Sequence, residues 1–165
     1  VNDSFKPGRP WLNTDSTRIQ AHGASIFVEN GTYFWYDENN EQTTPGSDNW
    51  HWGARAYSSS DLYTWEDLGL IIPPVPDDPS SPLHPAQKMD SPHIILNEAT
   101  NKYIAWLKVM GEGSHDTQAS TVLTADSLLG PYEIRREHGD RRLRMASYSL
   151  RWRPAAHRPA RRMAH

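Results

Sequence analysis

Ala24-Ser25-Ile26-Phe27-Val28-Glu29-Asn30-Gly31-Thr32-Tyr33-Phe34-Trp35-Tyr36 is the stretch that decides the fold class. Two runs of β-branched and aromatic residues flank an Asn-Gly pair. The right-handed twist of paired strands favours a two-residue turn with positive φ at both central positions, and Asn-Gly adopts that geometry at least expense. The stretch therefore predicts a β-hairpin.

Working outward, residues 37–52 read as a polar loop that ends at Trp50-His51-Trp52. A third strand follows at Ala54 to Ser59, then a tight turn at Ser60-Asp61 and a fourth strand at Leu68 to Ile72. Six of the 13 prolines fall between Pro73 and Pro85, which excludes helix and central strand there and marks a connector. The rhythm then returns. Ser91 to Leu96 reads as a strand, Asn97 to Lys102 as a turn and Tyr103 to Met110 as the hairpin partner, with further strands at Thr117 to Thr124 and Gly130 to Ile134. Setting Ser25-Ile26-Phe27 over His93-Ile94-Ile95 aligns the halves at an offset of about 68 residues, in the manner of blade-like repeats.

Composition agrees with an all-β chain. Thirteen Pro and 10 Gly favour turns over long helices, and 7 Trp with 7 Tyr supply an aromatic core to a chain only 36% hydrophobic. The absence of cysteine rules out disulfides and thiolate chemistry. A net charge of -3 points away from nucleic acid and membrane surfaces, and no apolar run approaches the roughly 18 residues of a membrane span. The polar, proline-bearing residues 1–10 do not read as a signal peptide. Charge is unevenly spread, however: ten of the 17 basic residues are arginines between Arg135 and Arg162. Residues 135–165 read either as a basic, disordered tail or as GC-rich DNA translated out of frame.

Three segments carry a resemblance. Ile19-Gln20-Ala21-His22-Gly23 with Gly31-Thr32-Tyr33-Phe34-Trp35-Tyr36-Asp37-Glu38 is similar to the opening of glycoside hydrolase family 43, above all its exo-β-1,3-galactanase-like branch. Ala56-Tyr57-Ser58-Ser59-Ser60-Asp61-Leu62-Tyr63-Thr64-Trp65 resembles the segment that closes a blade in that family. Met89-Asp90-Ser91-Pro92-His93-Ile94-Ile95-Leu96-Asn97 resembles the opening of the next blade, and Gly130-Pro131-Tyr132 its close. The resemblance implies an all-β fold: the first two four-stranded blades of a five-bladed β-propeller, incomplete, with an irregular C-terminal tail. Its parts would be a partial propeller over 1–134 (blade one 11–72, connector 73–85, blade two 88–134) and the tail at 135–165. It also implies a secreted or periplasmic parent protein acting on galactan, arabinan or xylan.

Family 43 enzymes invert. The resemblance thus implies a carboxylic acid that protonates the leaving oxygen and a base that activates water, about 6.5–9.5 Å apart. Asp90 stands at the family's acidic position in blade two and is the candidate catalytic residue, a modulator of the acid. Glu38 matches a hydroxyl-binding glutamate, with Asp37 replacing a glycine before it. Gln20 and His22 are candidates for sugar contacts, Gln20 as a side chain that both donates and accepts. Trp35, Trp50, Trp52 and Trp106 are candidate stacking platforms, with Trp35 equally suited to packing between strands. The family's acid arises from a later blade, and residues 135–165 offer no candidate for it. No metal-ligand cluster or cofactor motif appears, although the resemblance allows a calcium ion at the propeller axis. The expected partner is a carbohydrate, with neither nucleic acid nor membrane. Three readings stay open at this point: a hydrolase fragment, a sugar-binding module without catalysis, and a non-functional gene product.

Overall fold

A computed structural model of the chain describes residues 4, 6–23, 25–110 and 118–137. The described residues form two four-stranded antiparallel sheets and contain no helix. The first sheet has the order β1 (Ser25–Glu29), β2 (Thr32–Glu38), β3 (Ala54–Ser59), β4 (Glu66–Ile72). The second has the order β5 (Lys88–Asn97), β6 (Lys102–Met110), β7 (Gln118–Ala125), β8 (Glu133–Glu137). Each sheet is a meander, because every connection within it joins neighbouring antiparallel strands.

The hairpin that decided the fold class closes as expected. Glu29 pairs with Thr32 across a two-residue loop in which Asn30 and Gly31 both take positive φ, 50° and 79°. The connector also behaves as its prolines dictate: it forms no strand, and Val75 N–H bonds the Leu83 carbonyl at 3.0 Å to fold it back on itself.

Several boundaries differ from expectation, each for a physical reason. β2 runs on through Asp37 and Glu38, placed in the loop by their charge, because both pair with β3 and are buried. β5 begins at Lys88, ahead of Ser91: Lys88, Met89 and Asp90 pair with β6 before a bulge at Ser91-Pro92 interrupts the register. The turn after β3 is longer than Ser60-Asp61. Asp61 Oδ1 accepts the N–H groups of Tyr63 and Thr64, which hold its carboxyl down to about 2. Gly130 and Pro131 belong to a turn, since Gly130 has φ 89° and proline lacks an N–H, so β8 starts at Glu133 and continues to Glu137 rather than ending at Ile134. Ala24, Thr117 and residues 138–165 of the expected tail lie outside the described residues.

The principal core lies between the sheets. Tyr36, Ala56 and Ile72 from the first meet Ile94, Ala105, Leu107 and Leu123 from the second. The Tyr36 phenol is built into the second sheet, accepting the Ile94 N–H at 2.9 Å and donating to the Ile94 carbonyl at 3.4 Å. Burial pushes its pKa up, so it remains a phenol. Ser25 Oγ adds a bond to the Pro92 carbonyl at 3.1 Å, and the Tyr103 hydroxyl bonds Glu29.

A second, aromatic cluster covers the far side of the first sheet. Trp65, Tyr57, Ile19 and Ala21 are buried there, with Trp11 and Trp35 against them. Trp35 meets Trp11 and Trp65 edge to face, at 5.5 and 5.2 Å between centroids. The N-terminal segment is held on this face by hydrogen bonds, among them Thr14 N–H to the Trp65 carbonyl at 2.9 Å. No helix of the described residues is long and apolar enough to cross a membrane.

Candidate functional site

The polar side chains concentrate where β2 ends and β5 begins. At the end of β2 three consecutive polar residues, Asp37, Glu38 and Asn39, are buried. Such burial is costly unless each group is bonded. Asp37 Oδ1 accepts the Glu38 N–H at 2.8 Å. Its carboxylate lies so close to Gly23 that a Cβ there would stand 2.5 Å from Oδ2, so residue 23 has to be glycine while Asp37 is in place.

Glu38 reaches across to the second sheet. Its Oε2 accepts the Ser91 N–H at 3.2 Å, and Ser91 Oγ donates to Asp90 Oδ1 at 3.2 Å. On the other side of Asp90, Lys108 Nζ lies 3.7 Å from Oδ2. The two carboxylates named from sequence are thereby linked through one residue, one from each sheet.

The loop between β2 and β3 frames this pair. Asn39 N–H bonds the Gly53 carbonyl at 2.8 Å and its carbonyl accepts the Trp52 N–H at 2.6 Å. His51, fully buried, accepts the Gly53 N–H on Nδ1 at 2.8 Å, which leaves its proton on Nε2. Burial is the foremost cause that pulls its pKa down to about 4. The nearby His84 imidazole acts in the same direction, while the His84 backbone and the Glu38 charge act against it. Trp50 N–H bonds the Pro85 carbonyl at 2.7 Å, tying the loop to the connector. The Trp50 ring is 44% exposed, with Lys88 Nζ 5.8 Å from its centroid. His22 Nδ1 and Asn40 Nδ2 lie 3.2 Å apart.

Glu38, Asp90, His22, Trp50 and Trp52 are thus gathered around one end of the two sheets. Gln20 gives its main-chain N–H to the Tyr57 hydroxyl at 2.8 Å. Trp35 belongs to the aromatic cluster, and Trp106 stands exposed on the outward face of the second sheet. Sequence reasoning gave no role to Asn39, His51, Ser91 or Lys108. The Asn39 Nδ2 and Asn40 Oδ1 atoms are buried without hydrogen bonds, so the end of β2 keeps polar capacity unspent. For the calcium ion that the resemblance allows, the described residues do not assemble a fitting set: no three His, Asp or Glu among them converge to hold an ion.

No protein-family profile and no curated protein matches the chain. Solved structures do. A family 43 β-1,3-galactosidase bound to galactodeoxynojirimycin is 30% identical, matching 79% of this chain and 37% of its own with a TM-score of 0.67. A second family 43 β-1,3-galactosidase is 26% identical over 83% of this chain and 28% of its own, with a TM-score of 0.69. The exo-β-1,3-galactanase of Phanerochaete chrysosporium with galactose, 23% identical, shares the fold over 80% of this chain and 29% of its own at a TM-score of 0.70. The chain spans less than two-fifths of the length of each. These likenesses relate the two-sheet chain, by its fold, to glycoside hydrolase family 43.

Proposed function

We propose that the chain contributes the first two blades of a five-bladed propeller hydrolase acting on β-1,3-linked galactan, and that its Glu38–Asp90 pair holds a galactosyl unit. One observation carries this reading: two carboxylates from different sheets are joined through Ser91, with the exposed Trp50 on the loop that follows Glu38. Carboxylate oxygens accept hydrogen bonds from sugar hydroxyls, and an exposed indole face packs against the C–H face of a pyranose. The named activities of the 30% and 26% identical structures favour galactose over the arabinan and xylan also considered. In this reading Asp90 orients the sugar and tunes the acid, and the protonating carboxyl comes from a later blade.

Calorimetric titration with β-1,3-galactotriose, xylotriose and arabinotriose tests it. Saturable binding of the galactotriose alone is expected, weakened at least about tenfold by Glu38→Ala or Asp90→Ala, as loss of a charged hydrogen-bond acceptor implies. Equal affinity for all three sugars, or indifference to both substitutions, would sink the reading. An aryl β-galactoside assay on the same protein separates binding from hydrolysis.

A further inference from the structure

Ser91 is the backbone outlier of the site. Its φ of 48° is in the left-handed region, where a side chain other than glycine crowds its own backbone. It also precedes Pro92, and a residue before proline is pressed toward extended geometry. Strain of this kind persists only where the surroundings enforce it. The Ser91 side chain is exposed, so packing of that side chain does not impose the conformation. A bulge is one way to fit Pro92 into β5, and the register indeed slips between Asp90 and His93. Accommodating proline, however, does not require the Ser91 N–H to point at Glu38 while its hydroxyl turns to Asp90. Both bonds are made, at 3.2 Å each.

We infer that Ser91 is a positioning residue that couples Glu38 to Asp90, trading local backbone strain for the mutual orientation of the two carboxylates. The inference rests on the reading of these two as the sugar-holding pair. Ser91 acts through them: its N–H fixes the Glu38 carboxylate from one side, and its hydroxyl stops Asp90 from rotating wholly toward Lys108.

A double-mutant cycle tests the coupling with β-1,3-galactotriose as probe. With Asp90 present, Ser91→Ala should weaken affinity about tenfold, the scale of one hydrogen bond to a charged group. In the Asp90→Ala background the same substitution should change affinity less than about twofold. Ser91→Asn, whose amide donates and which tolerates positive φ, should recover affinity to within about threefold of the wild type. Equal losses in both backgrounds would overturn the inference. If the wild-type chain binds no galactotriose, it is the proposed function that fails, and Ser91 is then judged in the sugar-free protein. There its amide should exchange with solvent at least about tenfold more slowly than in Glu38→Ala, with Glu38→Gln close to wild type. Identical exchange in all three proteins would show that Glu38 does not hold the Ser91 amide, and the coupling would be wrong.

Discussion

Tyr36 and Trp106 hold equivalent places in the two sheets. Tyr36 pairs with Ser25 in the first hairpin, Trp106 pairs with His93 in the second, and Ser25 aligns with His93 in the repeat. Tyr36 is 1% exposed, packed into its neighbour sheet, while Trp106 is 46% exposed. The opposite rows differ in size. In the first sheet Ile26, Trp35 and Tyr57 form a register row whose rings meet the irregular N-terminal segment. The matching row of the second sheet is Ile94, Ala105 and Leu123, small enough at its centre for one sheet to lie against the other. The same backbone unit thus meets different neighbours with side chains of different volume.

The hardest test of that contrast removes the bulk from the first sheet's sealed face. Trp65→Ala, at a position 2% exposed, should lower the free energy of unfolding by about 3–5 kcal/mol, read by urea denaturation. A loss under about 1 kcal/mol would mean that the N-terminal segment does not seal this face in solution.

Acid should act on the joint between the β2–β3 loop and the connector. His51 has a folded pKa of about 4 against 6.5 when free, so folding favours its neutral form. Stability from this source is fully present above pH 6.5 and declines as pH falls toward 4, because the unfolded chain takes up a proton that the folded one refuses. The loss should level off near about 3 kcal/mol. His51→Asn, which keeps an acceptor for the Gly53 N–H but does not titrate, should remove this share of the slope. Parallel stability profiles for the two proteins between pH 6.5 and 4 would refute the assignment.

Much of the fold was legible because its signals are local. Asn30-Gly31 names its own turn, and the prolines of the connector exclude strands without help from elsewhere. β8 was misplaced because Arg135, Arg136 and Glu137 carry no β signature of their own; their strand exists only as the partner of Thr121 and Val122. The site was legible in part for the same reason. Glu38 and Asp90 stood in recognisable segments, whereas the burial of His51 depends on the connector packing over it and the role of Ser91 on a positive φ that serine does not announce. Asp37, read as a replacement for a loop glycine, is buried because Gly23, fourteen residues earlier, leaves room for it.

The joint between the sheets offers a smaller effect. Tyr36→Phe keeps the ring and deletes the hydroxyl that serves both the N–H and the carbonyl of Ile94. Two buried backbone groups then lose their partner, and a drop of about 2 kcal/mol is expected. Hydrogen exchange should place the change at the Ile94 amide. An unaltered Ile94 amide would show that the phenol is packed there but not bonded.

The smallest effect belongs to the equivalent position in the second sheet. Trp106→Ala should change stability by no more than about 1 kcal/mol, because the ring is half exposed on a strand surface and its removal opens no cavity. The substitution discriminates because Trp106 and Tyr36 share a register position, so a large loss at Trp106 would mean that its face is covered in solution. Its neighbours across the sheet, Ile95 and Val122 among them, are apolar enough to be covered by a second copy. In that case the midpoint of unfolding would rise with protein concentration, and Trp106→Ala would abolish the rise. A small loss with a concentration-independent midpoint leaves the first sheet packed on both faces and the second on one.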